Sequence, residues 1–262
     1  MKYFYILFIP IIIIANDLIV DQDANEIYNK DNYLLFDPYG GDTLPFCGNK
    51  RPPNGSPENC DRVEIIHSEQ IPSGPILGTT FTIEVWVYSD STTVNHREII
   101  GVGLDPSGNS INRPPTITYN LNHQIRYGFG DGSIAARFIV NNVRTERAWD
   151  HIAFTFDGNS CKLYVNGELE HNSDYLSGKM PIQIPIKYIG EEFQGKIDEV
   201  RIWNITRTQE EIQTYMNDIL TGNEVGLVAY YPMEINENFQ IIDMSPNQYH
   251  ATLTDVEILS RY

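Results

Sequence analysis

The fold is decided by the stretch WDHIAFTFDGNSCKLYVNGELE, which occupies residues 149–170. Apolar residues recur at every second position across 152–156 and again across 161–165, as they do when one face of a β-strand is buried. The dipeptides Asp-Gly at 157–158 and Asn-Gly at 166–167 separate these runs and favour tight turns, because Gly and Asn tolerate a positive φ. The stretch therefore predicts a three-stranded antiparallel meander.

Similar alternation returns along most of the chain, at intervals of roughly 8–12 residues that are typical of all-β folds. The segments concerned are 32–38, 61–66, 81–89, 97–104, 116–121, 123–130, 136–141, 184–191, 195–204, 226–235 and 250–259. With 262 residues, 41% of them apolar, the chain is long enough for one large all-β domain. We expect an all-β fold: a two-sheet antiparallel jelly-roll sandwich with one short C-terminal amphipathic helix.

The expected helix covers residues 208–220, TQEEIQTYMNDIL. Thr208 and Glu211 have the spacing of a capping box, in which each side chain binds a backbone amide of the first turn. One helical face then carries the apolar residues Ile212, Tyr215, Met216 and Ile219. We expect this face to pack against the sandwich; recognition of a partner protein is the alternative.

The formal net charge is −17. Nucleic acid and anionic membranes are therefore not expected as partners, because both require a basic surface.

The chain begins MKYFYILFIPIIIIA, with one basic residue, an apolar run and then Ala15, as in a secretory signal peptide. We expect residues 1–15 to be removed and the mature chain to be secreted or displayed at the cell surface. An uncleaved membrane anchor is the alternative, although the run is shorter than the ~20 residues of a spanning helix. The polar residues 16–31 indicate a leader or a peripheral strand.

Three cysteines are present, Cys47, Cys60 and Cys161. Cys47 and Cys60 flank a polar loop rich in Pro and Gly, and secretion permits disulfides, so we predict a bridge between them. Cys161 alternates with apolar residues of its strand and is expected to be a buried, unreactive thiol. The spacing of the three cysteines does not match a zinc site.

The ordered motifs of this chain resemble laminin-G-like, concanavalin A-like jelly-roll domains, a pentraxin-related family. The motifs that carry the resemblance are FTIEVWVY, WDHIAFTFDG, KLYVNGELE, IGEEFQGKIDEVRIWN, TRTQEEIQTYMN and GLVAYYPMEI. The resemblance covers roughly 32–255 and implies one domain over 32–262. The Cys-flanked insertion 47–60 departs from the family pattern. The fold of this family hosts binding modules, adhesion domains and enzymes, so the resemblance leaves the function open.

The resemblance also implies a calcium ion near the ends of the first and late strands. The matching positions are Asp61, in Asp-Arg-Val, and Asp198, in GKIDEV. We expect Asp198 to share a strand face with Val200 and Ile202, where a buried carboxylate needs a cation or several donors. Backbone amides or an arginine are the alternative partners.

A ligand-binding face is expected in the segment TYNLNHQIRYGFGDGS, residues 118–133. Tyr119 and Tyr127 would stack on sugar rings, and Asp131 would bind hydroxyl groups. Arg126 is included in the expected site, although alternation puts its side chain on the face opposite Tyr127. The alternative is that the aromatic residues of this segment belong to the core.

Catalysis is not expected, because we find neither the E-x-D-x-x-E strand of related glucanases nor a complete lyase pattern. In the lyase-like run, Gln124-Ile125 is followed by Arg126 and not by histidine. Two sequons are present, at Asn54 and Asn204, which can carry N-linked glycans if the source organism attaches them.

We therefore predict a secreted, non-catalytic binding module for carbohydrate or an extracellular glycoprotein surface, with calcium as a candidate structural ion and no other cofactor. A polysaccharide-active enzyme, either a glycoside hydrolase or a lyase, is the first alternative. A structural or adhesion module of a surface assembly is the second. The sequence does not predict the oligomeric state.

Overall fold

A computed structural model of the protein describes residues 18–20, 27–29, 32–36, 62–65, 74–89, 97–102, 110–120, 122–145, 147–191, 193, 195–236, 238, 240–254 and 257–260. Its strands are β1 Leu18–Val20, β2 Ile27–Asn29, β3 Asn32–Phe36, β4 Arg62–Ile65, β5 Phe81–Ser89, β6 Arg97–Gly101, β7 Thr116–Asn120, β8 Gln124–Gly128, β9 Phe138–Val140, β10 Trp149–Phe156, β11 Cys161–Val165, β12 Glu168–Ser173, β13 Tyr188–Ile189, β14 Gly195–Trp203, β15 Leu227–Tyr231, β16 Gln240–Ile241, β17 Ala251–Thr254 and β18 Glu257–Ser260. The helix α1 spans Gln209–Tyr215.

Two eight-stranded antiparallel sheets form the sandwich. Sheet I has the order β12-β11-β10-β5-β14-β3-β18, with β15 also paired to β14, and sheet II has the order β16-β17-β4-β13-β6-β7-β8-β9. Strands β1 and β2 pair with each other. The predicted two-sheet jelly roll with a single short helix is confirmed.

A shared core lies between the sheets and is rich in aromatic rings. Phe81 of β5 packs edge-on against Phe154 of β10, with ring centroids 5.0 Å apart. From sheet II, Phe129 approaches Phe156 at 5.1 Å. All four rings are at most 2% exposed, and burying a Phe side chain contributes about 1.5–3 kcal/mol. These contacts join the two layers.

The predicted meander is β10, β11 and β12. Ile152 is paired with Val165 and Phe154 with Leu163, so the alternating apolar residues share the inner face. Asn166 and Gly167 have φ values of 52° and 80°, as a two-residue type I′ turn requires. The other face of β10 is also buried, because α1 packs against it.

The helix begins as predicted but ends early. Thr208 is the N-cap, and it forms the reciprocal capping box with Glu211. Among the expected apolar positions Ile212 is fully buried, whereas Ile219 is 61% exposed. The carbonyls of Tyr215 and Met216 accept hydrogen bonds from the side chains of Arg201 and Trp86 in sheet I, and the amide of Asp218 closes a tighter turn on the carbonyl of Tyr215.

A β-bulge in β14 overturns the expected position of Asp198. Asp198 is paired with Trp86, and Arg201 with Glu84, so two residues of β14 lie opposite one residue of β5. Glu199 takes up the extra length with a φ of 52°. Because the bulge changes the alternation, Asp198 does not share the inner face with Val200 and lies on the outer face of sheet I.

Strand lengths differ from the sequence prediction in places. The segment 184–191 forms only the two-residue strand β13, and 97–104 is a strand only as far as Gly101. Within the described residues, no helix is long and apolar enough to cross a membrane.

Candidate functional site

The two tyrosines of the expected ligand face lie in the core. Tyr119 is 2% exposed, and the guanidinium carbon of Arg144 lies 4.6 Å from the centre of its ring. Tyr127 is 1% exposed, and its hydroxyl lies 2.6 Å from Nδ1 of His171. Burial raises the pKa of both phenols above the usual range. Neither ring presents a face to a sugar, which agrees with the packing alternative considered above.

Arg126 and Asp131 lie nearer the surface than the two tyrosines, and they have different surroundings. Arg126 is half-buried and is paired with Thr118 on the outer face of sheet II. Asp131 closes a turn, because its Oδ1 accepts the amides of Ile134 and Ser133 at 2.7 and 2.8 Å. These backbone donors lower its pKa. Of the four predicted ligand-binding residues, Arg126 is the one that the strand register places on an outer sheet face.

The calcium prediction rests on Asp61 and Asp198. Asp61 lies outside the described residues. Asp198 is 1% exposed, and its Oδ1 accepts the amide of Glu199 at 2.8 Å. No group of three or more His, Cys, Asp or Glu side chains among the described residues forms a metal-binding cluster. The described carboxylates thus do not complete the six to eight oxygen ligands that calcium takes, and calcium stays a prediction.

The remaining predicted positions divide between the surface, the core and the undescribed part of the chain. Asn204 is exposed directly after β14, where a glycan has room. Cys161 is a free, fully buried thiol, so its predicted burial is confirmed. Burial raises its pKa to about 12, and its low reactivity stays a prediction. Cys47, Cys60 and Asn54 lie outside the described residues, so their disulfide and sequon stay predictions.

The outer face of sheet II carries polar side chains in register, and we call it the polar face. Glu98 of β6 is opposite Thr118 of β7, which is opposite Arg126 of β8. Since paired residues of antiparallel strands point to the same side, these three side chains form one row across the sheet. The residues that flank Thr118 along its strand, Ile117 and Tyr119, point into the core.

Three arginines meet at one end of the polar face. Nη1 of Arg113 lies 3.7 Å from Oε2 of Glu98, and both side chains are almost fully buried. Arg137 is exposed, and its Cα is close to Gly128, which is paired with Thr116 on the same outer face. Burial and the nearby guanidiniums of Arg113 and Arg126 lower the pKa of Arg137, while Glu98 raises it. We call Arg113, Arg126, Arg137 and Glu98 the arginine cluster.

The other end of the polar face contains a tyrosine between two cations. Tyr188 of β13 is paired with Glu64 of β4. The cationic groups of Arg62 and Lys187 lie 5.3 and 4.8 Å from the centre of its ring, a distance at which cation–π attraction operates. Nζ of Lys187 also lies 3.3 Å from Oε1 of Glu64. Lys187 and Glu64 are each about one third exposed, so solvent reaches this end of the face.

The outer face of sheet I holds a buried set of charges that we call the polar clasp: Glu84, His151, Arg201 and Arg207. Glu84 is fully buried, and its carboxylate oxygens lie 3.2 Å from Nη1 of Arg207 and 3.4 Å from Nε2 of His151. Arg201 donates to the carbonyl of Tyr215 at 2.9 Å and to Glu199 at 2.7 Å. The clasp therefore ties α1 and the residues after it to the sheet.

Burial by itself raises the pKa of Glu84. The neighbouring His151, Arg207 and Arg201 together lower the pKa by more, so the net shift is downward. Glu84 is therefore ionised in the folded protein. Glu84, Arg201 and Arg207 each lie against charged or polar groups of the protein, whereas the ring nitrogens of His151 are buried without a hydrogen bond.

A family model described as the concanavalin A-like lectin/glucanases superfamily, Laminin_G_3, matches residues 67–213, more than half of the chain. The chain belongs to this superfamily. The jelly-roll sheets and the capped helix of this superfamily member agree with the resemblance deduced from its motifs.

Known relatives show the same fold at low sequence identity. A candidate carbohydrate binding protein from Bacteroides ovatus is 20% identical, with a TM-score of 0.60 over 88% of this chain and 60% of its own. The heptameric SAP-like pentraxin of Limulus polyphemus is 11% identical, with a TM-score of 0.54 over 89% of this chain and 96% of its own. Mouse pappalysin-1 is 27% identical in an alignment of 155 positions, which covers 52% of this superfamily member and 10% of pappalysin-1.

The arginine cluster was missed by sequence reasoning, apart from Arg126. Arg113 lies three residues before β7, and Arg137 directly precedes β9, so neither belongs to the regular part of a strand. The sequence did contain a signal for the position of Arg126. Because Ile125 and Tyr127 are apolar neighbours in the same strand, alternation puts Arg126 on the other, outer face.

Proposed function

We propose that this chain is an extracellular, non-catalytic carbohydrate-binding module that holds glycans, free or on a glycoprotein, on the polar face of sheet II. The observation that carries the proposal is the row of polar side chains across the outer face of sheet II, in which Thr118 and Arg126 are partly exposed beside the buried Glu98. Such groups donate to and accept from sugar hydroxyls. The likeness of the fold to the Bacteroides ovatus protein supports the same function.

The other outer face is a poorer site for a glycan. Helix α1 and the polar clasp occupy it, and Arg201 and Arg207 of the clasp donate to the backbone carbonyls of Tyr215 and Glu211 within the helix. A ligand that reached Glu84 would have to displace Arg207, whose guanidinium carbon also lies 4.4 Å from the ring centre of Trp203. The polar face has no such competition from α1.

Protection from chemical labelling tests the location of the bound glycan without any substitution. The mature chain is first screened on a glycan array, and the strongest ligand is then added before lysines are acetylated. We expect the ligand to slow acetylation of Lys187, which lies on the polar face, and to leave Lys162 unchanged. Lys162 is the matched control because it is on sheet I with a similar exposure. Equal protection of both lysines, or no glycan bound at all, would overturn the proposal.

Calcium remains part of the proposal through Asp61 and Asp198. If a calcium ion is held there, chelation lowers the melting temperature of the wild-type protein, and the substitution Asp198→Asn removes that difference. Identical melting curves with calcium and with chelator would show that the module needs no ion for stability.

A further inference from the structure

Asn204 lies at a corner of the molecule that fixes its backbone and leaves its side chain in solvent. Its amide donates to the carbonyl of Gly226 at 2.8 Å, and its own carbonyl accepts the hydroxyl of Thr80 at 3.0 Å. The residue is exposed and directly follows Trp203, the last residue of β14. An acceptor of an N-linked glycan needs such a surface position, because the attached oligosaccharide is bulky.

The side chains of other asparagines in turns stabilise the fold, whereas that of Asn204 is not used in this way. Oδ1 of Asn166 accepts the amide of His151 at 2.8 Å, and Oδ1 of Asn236 accepts that of Asn238 at 2.9 Å. Within the described ranges, the side chain of Asn204 makes no hydrogen bond. Substituting Asn204 therefore removes the sequon without removing a hydrogen bond of this part of the chain.

The third residue of the sequon has a structural role of its own. Thr206 is half-buried, and its hydroxyl donates to the carbonyl of Phe156 at 2.6 Å. An enzyme that recognises this hydroxyl needs it free, so a glycan would be attached before this corner folds. Thr206→Ala would remove the sequon and a structural hydrogen bond together, which makes Asn204 the residue to substitute.

Two apolar side chains beside Asn204 are exposed, and we call Ile205 and Val225 the apolar corner. Ile205 is 37% exposed, and Val225, at 88%, is the most exposed large apolar residue of the described chain. Ile205 lies against the backbone of Gly226, where a built Cβ would be 2.8 Å from its Cγ1. Val225 directly precedes Gly226, so both residues adjoin the carbonyl that accepts the amide of Asn204.

An N-linked glycan suits this corner better than a protein partner does. Two side chains are too small a surface for a stable protein interface, which buries about 800 Å² on each partner. A sugar ring presents a face of C–H groups, which can cover apolar side chains, while the hydroxyl groups at its rim stay in water. Removing apolar area from water is favourable in proportion to the area that is covered.

We propose that Asn204 carries an N-linked glycan and that its first sugar covers the apolar corner. The inference rests on the extracellular location in the proposed function and not on glycan binding. In the transfer, Nδ2 of Asn204 forms a bond to the anomeric carbon of an oligosaccharide, and the bond from that carbon to a lipid pyrophosphate breaks. The amide loses one proton and the lipid pyrophosphate leaves. The co-reactant is thus a lipid-linked oligosaccharide of the secretory membrane.

The first experiment asks whether the glycan is attached. The full chain is expressed in a eukaryotic secretory host, once with its own residues 1–15 and once with a signal sequence of the host in their place. Peptide N-glycosidase in heavy-oxygen water converts each occupied asparagine to a labelled aspartate, which mass spectrometry locates. We expect label at position 204 of the wild-type chain and none there in Asn204→Gln. Asn54→Gln is the matched control, which removes the other sequon and should keep the label.

The second experiment asks whether the first sugar covers the apolar corner. An endoglycosidase trims the glycan to one sugar, whereas the N-glycosidase removes it completely. We expect the trimmed form to melt with the intact form, and the stripped form and Asn204→Gln to melt about 2–4 °C lower, as a modest loss of stability does in a domain of this size.

A hydrophobic dye provides a readout that is specific to the corner. The stripped form should bind more dye than the trimmed form, and Val225→Ser should abolish that difference. Ile139→Ser is the matched control, because Ile139 is 46% exposed on β9 of sheet II, and it should leave the difference unchanged.

Each contrary result identifies what fails. A chain that leaves the host only with the host's signal sequence overturns the extracellular location. A secreted chain without label at Asn204 overturns the glycan alone. Label at Asn204 with equal melting temperatures and equal dye binding for the trimmed and stripped forms overturns the covering of the apolar corner. Absence of binding on the glycan array overturns the carbohydrate-binding function and changes none of these results.

Discussion

The outer faces of the two sheets both carry charged side chains, yet they use them differently. On sheet I the polar clasp is buried beneath α1, and Arg201 and Arg207 each bind a backbone carbonyl after or within the helix. On sheet II, Arg137 and Lys187 remain exposed or half-exposed. Exposure, and not the presence of charge, therefore separates a stabilising network from a candidate binding surface.

Removing one arginine from the clasp should produce the largest loss of stability. Arg207→Ala leaves the fully buried carboxylate of Glu84 without its 3.2 Å partner. Breaking a buried pair by deleting one member costs about 3–5 kcal/mol, and we expect a loss of unfolding free energy in this range. Urea denaturation measures it. Lys162→Ala, which breaks the partly exposed pair with Asp157, should cost less than about 1 kcal/mol; similar losses from both variants would contradict the contrast.

The apolar contact of the helix should contribute slightly less than the clasp. Ile212 is fully buried against Ala153 and Tyr164, so Ile212→Ala should cost about 2–4 kcal/mol. Ile219→Ala is the matched control, because Ile219 is 61% exposed although the sequence put both on one helical face. Thermal or urea unfolding that found equal costs would show that the chain after Tyr215 is packed as the sequence predicted.

Acid should weaken the clasp, and the sign follows from Glu84. Its folded pKa is below the ordinary value of 4.5, so the folded state binds fewer protons than the unfolded state in that range. The stability from this group is present above pH 4.5 and is lost as the pH falls through the lower folded pKa. Unfolding free energies measured between about pH 6 and pH 3 should fall less steeply for Glu84→Gln than for the wild-type protein. Parallel curves would mean that Glu84 does not contribute to acid sensitivity.

The polar face should show the smallest effect on stability. Arg137→Gln changes an exposed side chain on sheet II, and such substitutions usually alter the unfolding free energy by less than about 0.5 kcal/mol. A loss above about 2 kcal/mol, measured by urea denaturation, would show that the arginine cluster is structural, like the clasp.

The sequence predicted elements whose signals are local. The Asn166-Gly167 turn and the Thr208–Glu211 capping box each depend on residues a few positions apart, and both are present. The end of α1 depends on Arg201 and Trp86, which approach from other strands and donate to the carbonyls of Tyr215 and Met216. Such long-range competition for backbone groups leaves no trace in the helical pattern.

The site was harder to predict for the same reason. Tyr127 was predicted to bind a ligand because its aromatic ring can stack on a sugar. Alternation, however, assigns the side chains of Tyr127 and Arg126 to opposite faces of the strand. Which of these faces is the core depends on the second sheet, whose pairing the sequence does not specify. Arg113 belongs to the cluster because it forms an ion pair with Glu98, a residue of β6 that lies fifteen positions earlier in the chain.

The bulge at Glu199 has a consequence for how the chain tolerates changes in length. Loops generally accept insertions and deletions, and here a strand carries one extra residue. The bulge places Glu199 and Val200 opposite the single residue Val85, so the faces on either side of it are unchanged, and deleting Glu199 would leave them as they are. If Glu199 instead took an ordinary place in the ladder, Val200 and Ile202 would turn away from the core and Arg201 would turn into it. The bulge therefore lets β14 hold an added residue and still supply apolar side chains to the sandwich and an arginine to the helix.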